Sequence, residues 1–88
     1  MKEVKVKIPN SLGLHARPAS LFAKTAENFE SDITVEKDGI EVDGKSILGL
    51  MMLVAEKGAE LTIKVDGPDE EEALKALVEL VEKGFGEE

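Results

Sequence analysis

The chain contains a single histidine, and its neighbours favour chemistry on a phosphoryl group. His15 lies two residues before Arg17, the only arginine, and Pro18 follows directly. An alternating apolar pattern precedes this segment, and a helical pattern begins around Ala16. The first N–H groups of a helix have no partner within the helix, and the helix dipole attracts negative charge there. An imidazole and a guanidinium at a helix start could therefore accept a phosphoryl group and hold its oxygens.

The residues alone also allow a structural interpretation of His15, as a helix cap or a surface side chain. A metal site is disfavoured because the chain has no cysteine and no second histidine. A hydrolytic triad is disfavoured because no acidic residue is near in sequence. A phosphoryl acceptor needs a ring that is neutral near pH 7, as free imidazole largely is. It also needs donors for the phosphate oxygens, which the amides of Ala16 and Arg17 and the Arg17 guanidinium can supply.

Size and composition exclude several classes of protein. A chain of 88 residues makes one domain with a modest core. The net charge of −8 disfavours nucleic-acid binding, which needs a basic surface. No apolar stretch is long enough to span a membrane, the N-terminus lacks the apolar region of a signal peptide, and no cofactor motif is present. Together with the absence of cysteine, these features predict a cytoplasmic protein without membrane insertion.

The charges are unevenly distributed along the chain. Residues 4–26 contain no carboxylate but four cationic side chains, and residues 46–55 contain no charge of either sign. The four cations are Lys5, Lys7, Arg17 and Lys24. A basic segment beside an apolar one predicts a docking surface on which charge steers a partner and apolar contacts hold it.

Apolar periodicity predicts four strands and three helices. Alternation marks strands around residues 4–8, 33–36, 40–42 and 61–65, and a hairpin turn is predicted at Lys37-Asp38-Gly39. Helices are predicted from Ala16 onward, over 47–54 with Ser46 as N-cap, and from Asp69 to a stop at Gly84. Asp69 with Glu72 resembles a capping box.

The order β-α-β-β-α-β-α predicts an α+β fold, an open-faced two-layer sandwich. Crossover helices make the first and second strands parallel, so an antiparallel sheet needs the fourth strand between them. The expected sheet has four antiparallel strands in the order 1-4-2-3, with three helices on one face. The other face is expected to carry polar side chains, namely Lys5, Lys7, Glu36, Thr62 and Lys64. We also expect the first two helices to begin at the same end of the sheet, which would place His15 near Ser46.

The segment from Leu12 to Ser20, together with Lys45-Ser46-Ile47 and the turn at 57–60, resembles the HPr family. Members of this family are the histidine-containing phosphocarriers of the bacterial sugar phosphotransferase system. The resemblance covers nearly the whole chain and implies one HPr-like domain over residues 1–88. It implies a carrier rather than an autonomous enzyme. Such a carrier accepts a phosphoryl group from phospho-enzyme I on His15 and passes it to enzyme IIA domains. No cofactor is implied, and a monomer is expected.

The resemblance also implies roles for further residues. Arg17 would assist His15, and Ala16 and Arg17 would bind the phosphate. Ser46 would be a regulatory phosphorylation site for an HPr kinase/phosphorylase, with a catabolite-control transcription factor as a further partner. The docking surface would comprise Ala16, Ser20, Leu21, Ile47, Leu48 and Met51. By helical spacing, Leu50 and Val54 lie on a different face of the second helix.

Two other functions remain open from the sequence. The nitrogen-related branch of the phosphotransferase system carries the same histidine motif. A regulatory binding domain without covalent chemistry is also compatible, because a split β-α-β sheet hosts many functions. His15 disfavours the regulatory HPr relatives that lack the histidine. Leu12 departs from some relatives, which have a small polar residue there.

Overall fold

The structure, a computed structural model, describes residues 1–86, and its elements follow the predicted order. The strands are β1 (Lys2–Lys7), β2 (Asp32–Lys37), β3 (Ile40–Asp43) and β4 (Glu60–Asp66). The helices are α1 (Ala16–Glu27), α2 (Ile47–Met52) and α3 (Glu70–Glu82), and a short 3-10 turn, Gly84–Gly86, follows α3. None of the helices within residues 1–86 has the length and apolarity needed to cross a membrane.

The sheet has the predicted strand order, β1-β4-β2-β3, and each neighbouring pair is antiparallel. Ile63 in β4 pairs with Val4 on one side and with Val35 on the other. Because side chains alternate along a strand, this register gathers the apolar residues on one face, where the helices cover them. The opposite face carries the expected polar set, with Thr62 paired to both Lys5 and Glu36. The open-faced sandwich is therefore confirmed.

A two-residue turn joins β2 to β3, as predicted. Lys37 pairs with Ile40, and both turn residues are in the left-handed region, Asp38 with φ 52° and Gly39 with φ 84°. Aspartate followed by glycine tolerates this conformation and gives the hairpin the twist of its strands. The chain therefore reverses direction sharply at this point.

The helices bury apolar stripes against the sheet. The buried residues of α1 are Pro18, Ala19, Phe22, Ala23 and Ala26, and those of α3 are Ala73, Leu77 and Val81. Phe29, Leu74 and Val78, which continue the same apolar patterns, are only partly buried. Phe29 lies beyond the end of α1, which explains its partial exposure.

The predicted helix ends are partly correct. The Ser46 hydroxyl accepts a hydrogen bond from the Gly49 amide at 3.0 Å, so Ser46 caps α2. Gly84, with φ +64°, follows the last residues of α3 and ends that helix, as expected. The capping box is wrong, because the Asp69 side chain makes no cap bond. Its carboxylate instead accepts hydrogen bonds from Glu30 and Ser31.

Helix α2 is shorter than predicted. It ends at Met52, and Val54 adopts a left-handed backbone with φ 51°. Leu50 is buried, whereas Val54 lies outside the helix and is 70% exposed, so the two residues do not share a helix face. The apolar run misled the prediction because Leu53 and Val54 fit a helical pattern but are followed by the turn into β4.

The expectation that α1 and α2 begin at the same end of the sheet is wrong. β3 runs opposite to β1 and β2, so α1 leaves one end of the sheet and α2 leaves the other. Two contacts confirm the opposite directions. The Lys45 ammonium, before α2, donates to the carbonyl of Phe29, after α1, at 2.8 Å. The Leu14 amide, before α1, donates to the carbonyl of Ala55, after α2, also at 2.8 Å.

Candidate functional site

His15 is the N-cap residue of α1, and its backbone is extended, with φ −95° and ψ −165°. Its carbonyl accepts the first helical hydrogen bond, from Ala19 at 2.9 Å. The amides of Ala16 and Arg17 precede that bond, and Pro18 has no N–H, so two amides remain at the helix start. The His15 side chain does not cap the helix. This position therefore has the donors that a bound anion requires. His15 is a helix cap, as the structural interpretation expected, but only through its backbone.

The side chains around this helix start are accessible and contain no acid. His15 is partly buried, whereas Ala16 and Arg17 are exposed. The first turn of α1 contains no acidic residue. The ion pairs seen within residues 1–86 engage the amino terminus, Lys2, Lys37 and Lys64, and Arg17 is in none of them. The guanidinium can therefore turn toward a phosphoryl group on the neighbouring residue.

The loop before His15 is held against the end of α2. Gly13 has φ +73°, and a Cβ at this residue would lie 2.3 Å from the carbonyl oxygen of Ala55. Leu14 is 4% exposed, and its amide bonds to the same carbonyl. The Gly13 carbonyl accepts a hydrogen bond from the His15 amide at 3.1 Å. Glycine is thus required for the close approach that fixes this loop.

An apolar surface is exposed on α2, and we call it the α2 surface. It consists of Ile47, Leu48 and Met51, which are 39%, 75% and 39% exposed. α2 packs against α1, where Leu21 is 37% exposed and Ser20 partly buried. The residues expected to form a docking surface therefore lie on two adjacent helices and reach solvent. Exposed apolar patches of this kind often mark interaction sites.

The basic segment of residues 4–26 does not form one surface. Alternation along β1 directs Lys5 and Lys7 to the polar face of the sheet, away from the helices. Arg17 and Lys24 are exposed on α1 and lie two helical turns apart. Of the four cations in this segment, only Arg17 and Lys24 lie on the helical side together with the α2 surface.

Ser46 lies at the opposite end of α2 from the contact with the His15 loop. That contact is made by the carbonyl of Ala55, which follows the C-terminal end of α2. The helix alone spans about 9 Å at 1.5 Å per residue. Ser46 therefore borders the α2 surface at its N-terminal edge and does not lie beside His15. The predicted hairpin reverses the chain before α2, so this helix begins at the end of the sheet opposite to the start of α1.

Sequence reasoning missed three contributors to this site. Ala55 acts through its backbone carbonyl, which leaves no signal in the residue type. No sequence pattern gave Asn10 a role, yet it is 1% exposed and its side chain donates to the Gly13 carbonyl. Phe85 is 2% exposed and belongs to the turn that packs against α1 and α3. Its position near the end of the chain, between two glycines, gave no periodic pattern.

The fold and the site define a small open-faced sandwich, with an antiparallel sheet ordered 1-4-2-3 beneath three helices and a histidine at the start of the first helix. A family model described as "PTS HPr component phosphorylation site" matches residues 2–83. The chain belongs to the HPr family, the phosphocarrier proteins of the phosphotransferase system.

Individual relatives agree with this assignment. Phosphocarrier protein HPr of Neisseria meningitidis serogroup A is 47% identical over 99% of this chain and 98% of that protein. The crystal structure of HPr-C-His from Thermoanaerobacter tengcongensis is 55% identical with a TM-score of 0.96, covering 100% of this chain and 99% of that one. Crh of Bacillus subtilis, whose crystal structure is described as a dimer with a swapping domain, is 46% identical with a TM-score of 0.77, covering 94% and 95%.

Proposed function

We propose that this chain accepts a phosphoryl group from phospho-enzyme I on His15 and passes it to enzyme IIA domains during sugar uptake. It would act in the cytoplasm as one carrier domain over residues 1–88. The observation that carries this proposal is the single histidine at the start of α1 in a chain of the HPr family. Homologues named phosphocarriers support a carrier rather than a turnover catalyst.

The transfer itself needs little machinery beyond the helix start. A neutral imidazole offers a lone pair on one ring nitrogen. As that nitrogen bonds to phosphorus, the bond between phosphorus and the donor breaks, and the phosphoryl oxygens keep their negative charge. The amides of Ala16 and Arg17 and the Arg17 guanidinium stabilise those oxygens, while no acid in the first turn repels them. The same contacts must remain weak enough for the group to leave again.

Docking of both partners would use the α2 surface together with Ala16, Ser20 and Leu21. A carrier must bind a donor and an acceptor in turn through the same region, because both must reach one histidine. Leu48 and Met51 offer exposed apolar area, and methionine adapts to differently shaped partners. Arg17 and Lys24 would meet acidic groups at the rim of either partner.

The decisive experiment is incubation with enzyme I and phosphoenolpyruvate, followed by intact mass measurement. One phosphoryl group should be added, should be lost in acid because the N–P bond is acid-labile, and should persist in base. His15→Ala should take up none, and uptake by this variant would refute the assignment.

Arg17→Ala should slow transfer while changing the free energy of unfolding by less than about 0.5 kcal/mol, as for other exposed substitutions. Lys24→Ala, an exposed base farther along α1, is the matched control and should transfer faster than Arg17→Ala.

Ser46 is a second proposed site, for regulatory phosphorylation by an HPr kinase/phosphorylase. The likeness to Crh, described as a catabolite repression protein of Bacillus subtilis, supports a regulatory role. A catabolite-control transcription factor would then be a partner of the Ser46-phosphorylated form. Incubation with such a kinase and ATP should add an acid-stable phosphate to the parent protein and none to Ser46→Ala.

Two further expectations belong to this proposal. The sugar and nitrogen-related branches of the phosphotransferase system differ in the enzyme I that donates the phosphoryl group. His15 should therefore be phosphorylated faster by the sugar-branch enzyme I than by the nitrogen-branch enzyme I.

A monomer is proposed, although related Crh is described as a dimer. The exposed edge strand β1 carries Lys2, Lys5 and Lys7, and charges of this kind oppose edge-to-edge pairing. Light scattering on the eluting protein gives its mass directly.

A further inference from the structure

Only two polar side chains within residues 1–86 are buried, and one of them lies in the loop that precedes His15. These residues are Asn10 and Ser31, each 1% exposed. Asn10 belongs to the loop between β1 and α1, and its side-chain Nδ2 donates to the carbonyl of Gly13 at 2.8 Å. Burying an amide is unfavourable unless it is hydrogen-bonded, so this contact fixes the Asn10 side chain.

The same carbonyl connects Asn10 to His15. The Gly13 oxygen accepts from Asn10 Nδ2 and also from the His15 amide, at 3.1 Å. The Gly13 amide in turn donates to the Asn10 carbonyl at 3.2 Å, which closes the turn. A displacement of the Asn10 side chain would therefore move the peptide group that holds the main chain of His15.

Asn10 is anchored from two other directions. Ile8 is 1% exposed and is hydrogen-bonded to the two residues before β4. Its amide donates to the Ala59 carbonyl at 2.9 Å, and its carbonyl accepts from the Gly58 amide at 2.8 Å. On another side, the turn after α3 approaches closely, since a Cβ on Gly84 would lie 3.6 Å from the Cβ of Asn10. The neighbouring Phe85 is buried in the core. Asn10 thus links the His15 loop to rigid parts of the fold.

We propose that Asn10 is a positioning residue for phosphoryl transfer at His15. In this role it acts on the main chain of His15 through the Gly13 carbonyl. Transfer requires the ring nitrogen to meet phosphorus at a short distance and in line, and small displacements of a reacting group cost rate. A buried amide that fixes the residue before the helix start supplies this orientation without exposing a further polar group to the partner. The proposal rests on the proposed function of His15.

Ser31 offers a matched control for a purely structural effect. It is equally buried, its hydroxyl bonds to Asp69, and it lies beyond the C-terminal end of α1, a full helix away from His15. Ser31→Ala and Asn10→Ala each remove one buried polar side chain. Both should lower the midpoint of thermal unfolding, but only Asn10→Ala should disturb the His15 loop.

The test compares the parent, Asn10→Ala and Ser31→Ala well below their unfolding midpoints. Hydrogen exchange of the His15 and Leu14 amides should accelerate by roughly tenfold in Asn10→Ala relative to amides in β4, and should not do so in Ser31→Ala. With enzyme I, Asn10→Ala should lower kcat by roughly tenfold to a hundredfold with KM nearly unchanged, because docking residues are untouched. Ser31→Ala should leave both constants near those of the parent.

Several outcomes would overturn the proposal. Equal amide exchange at His15 in both variants, or a normal kcat for Asn10→Ala, would reduce Asn10 to a stability role. If Asn10→Ala does not fold, Asn10→Ser, whose hydroxyl is one atom too short to reach Gly13, is judged by the same two measurements. If the parent takes no label from enzyme I, the proposed function fails, and the exchange data alone decide whether Asn10 holds His15.

Discussion

Single backbone positions decide how the His15 loop meets the segment after α2. Gly13 allows the loop to approach the Ala55 carbonyl, as its φ of +73° and the absence of a side chain permit. Val54, immediately before Ala55, adopts φ 51° although a β-branched residue is disfavoured there. Its side chain is 70% exposed, so packing offsets little of that strain. The Ala55 carbonyl is thus held in place at some cost to the stability of the fold.

Replacing Val54 should release this strain. Val54→Asn should raise the free energy of unfolding by about 1 kcal/mol, because asparagine tolerates the left-handed conformation better than valine. Urea unfolding measures the change. The matched control is Asp38→Asn, at the hairpin residue with φ 52°, where the parent residue already tolerates this conformation. That change should stay within about 0.5 kcal/mol. A Val54→Asn variant no more stable than the parent would show that the strain is relieved elsewhere.

A carboxylate at the start of α3 joins two elements that are distant in sequence. Asp69 accepts hydrogen bonds from the amides of Glu30 at 2.9 Å and Ser31 at 3.0 Å, and from the Ser31 hydroxyl. These donors lie in the connection between α1 and β2. The Ser31 hydroxyl, followed by the Glu30 amide, lowers the pKa of Asp69 below its usual value of 3.8. The Gly67 amide, followed by the amino terminus, likewise lowers the pKa of Glu70.

Acid should therefore weaken this corner of the fold. Because the folded-state pKa of Asp69 is below 3.8, its stabilising contribution is present above that value and is lost as the pH falls toward the folded-state pKa. Asp69→Asn should be less stable than the parent at pH 7 and should lose less stability on acidification from about pH 5 to about pH 2. Ser31→Ala, which removes the largest cause of the shift, should show part of the same effect. Urea unfolding across this range measures both, and an unchanged acid dependence in Asp69→Asn would contradict the prediction.

The direction of α2 determines how a phosphate on Ser46 would act. Ser46 borders the α2 surface at its N-terminal edge, beside Ile47 and Leu48, and a helix length separates it from the His15 loop. A negative charge at a helix start is favourable for the fold, but its desolvation under a docked partner is costly. We therefore expect regulation through docking rather than through contact with His15.

Ser46→Asp should remain folded and raise the KM of enzyme I for this chain by about tenfold, since a charge must be desolvated at the interface. The value of kcat should change less. Ser46→Asn is the matched control, because asparagine is also a good N-cap but carries no charge. Equal KM values for the two variants would mean that Ser46 serves only as a helix cap, and an unfolded Ser46→Asp would contradict its placement at the start of α2.

Cations lie on both faces of the molecule, and they differ in their pairing. The net charge is −8, yet the helical side presents Arg17 and Lys24 near the uncharged α2 surface. The polar face of the sheet holds Lys64 between Glu36 at 2.9 Å and Glu41 at 2.7 Å. Its contacts with Glu41, and then with Glu36, raise the pKa of Lys64. Lys64 is thus paired with two carboxylates on the polar face, whereas Arg17 and Lys24 on the helical side are available to a partner.

Docking should accordingly respond to both charge and apolar area. Met51→Asp should weaken binding to enzyme I by about tenfold with the fold intact, because it places a charge within the α2 surface. The control is Thr62→Asp, which adds the same charge on the polar face of the sheet, away from the helices, and should bind normally. Rising salt should slow association of the parent protein, since screening weakens electrostatic steering. Association rates that do not depend on salt would show that electrostatic steering does not contribute to docking.

Local patterns in the sequence determined the elements of this protein and the chemistry of its candidate site. Period-two alternation, the Asp38-Gly39 turn and the Ser46 cap act between near neighbours, so they could be read without the fold. The strand order also followed, because crossover and hairpin geometry leave few arrangements. The same strand order and hairpin imply that α2 begins at the end of the sheet opposite to His15, although the sequence prediction placed it otherwise. Only the tertiary structure decided the engagement of Asp69 with Ser31 and the contact of Leu14 with the Ala55 carbonyl. It alone showed Asn10 buried in the loop that precedes His15. These features depend on contacts between residues far apart in the chain and on backbone atoms, which residue types do not encode.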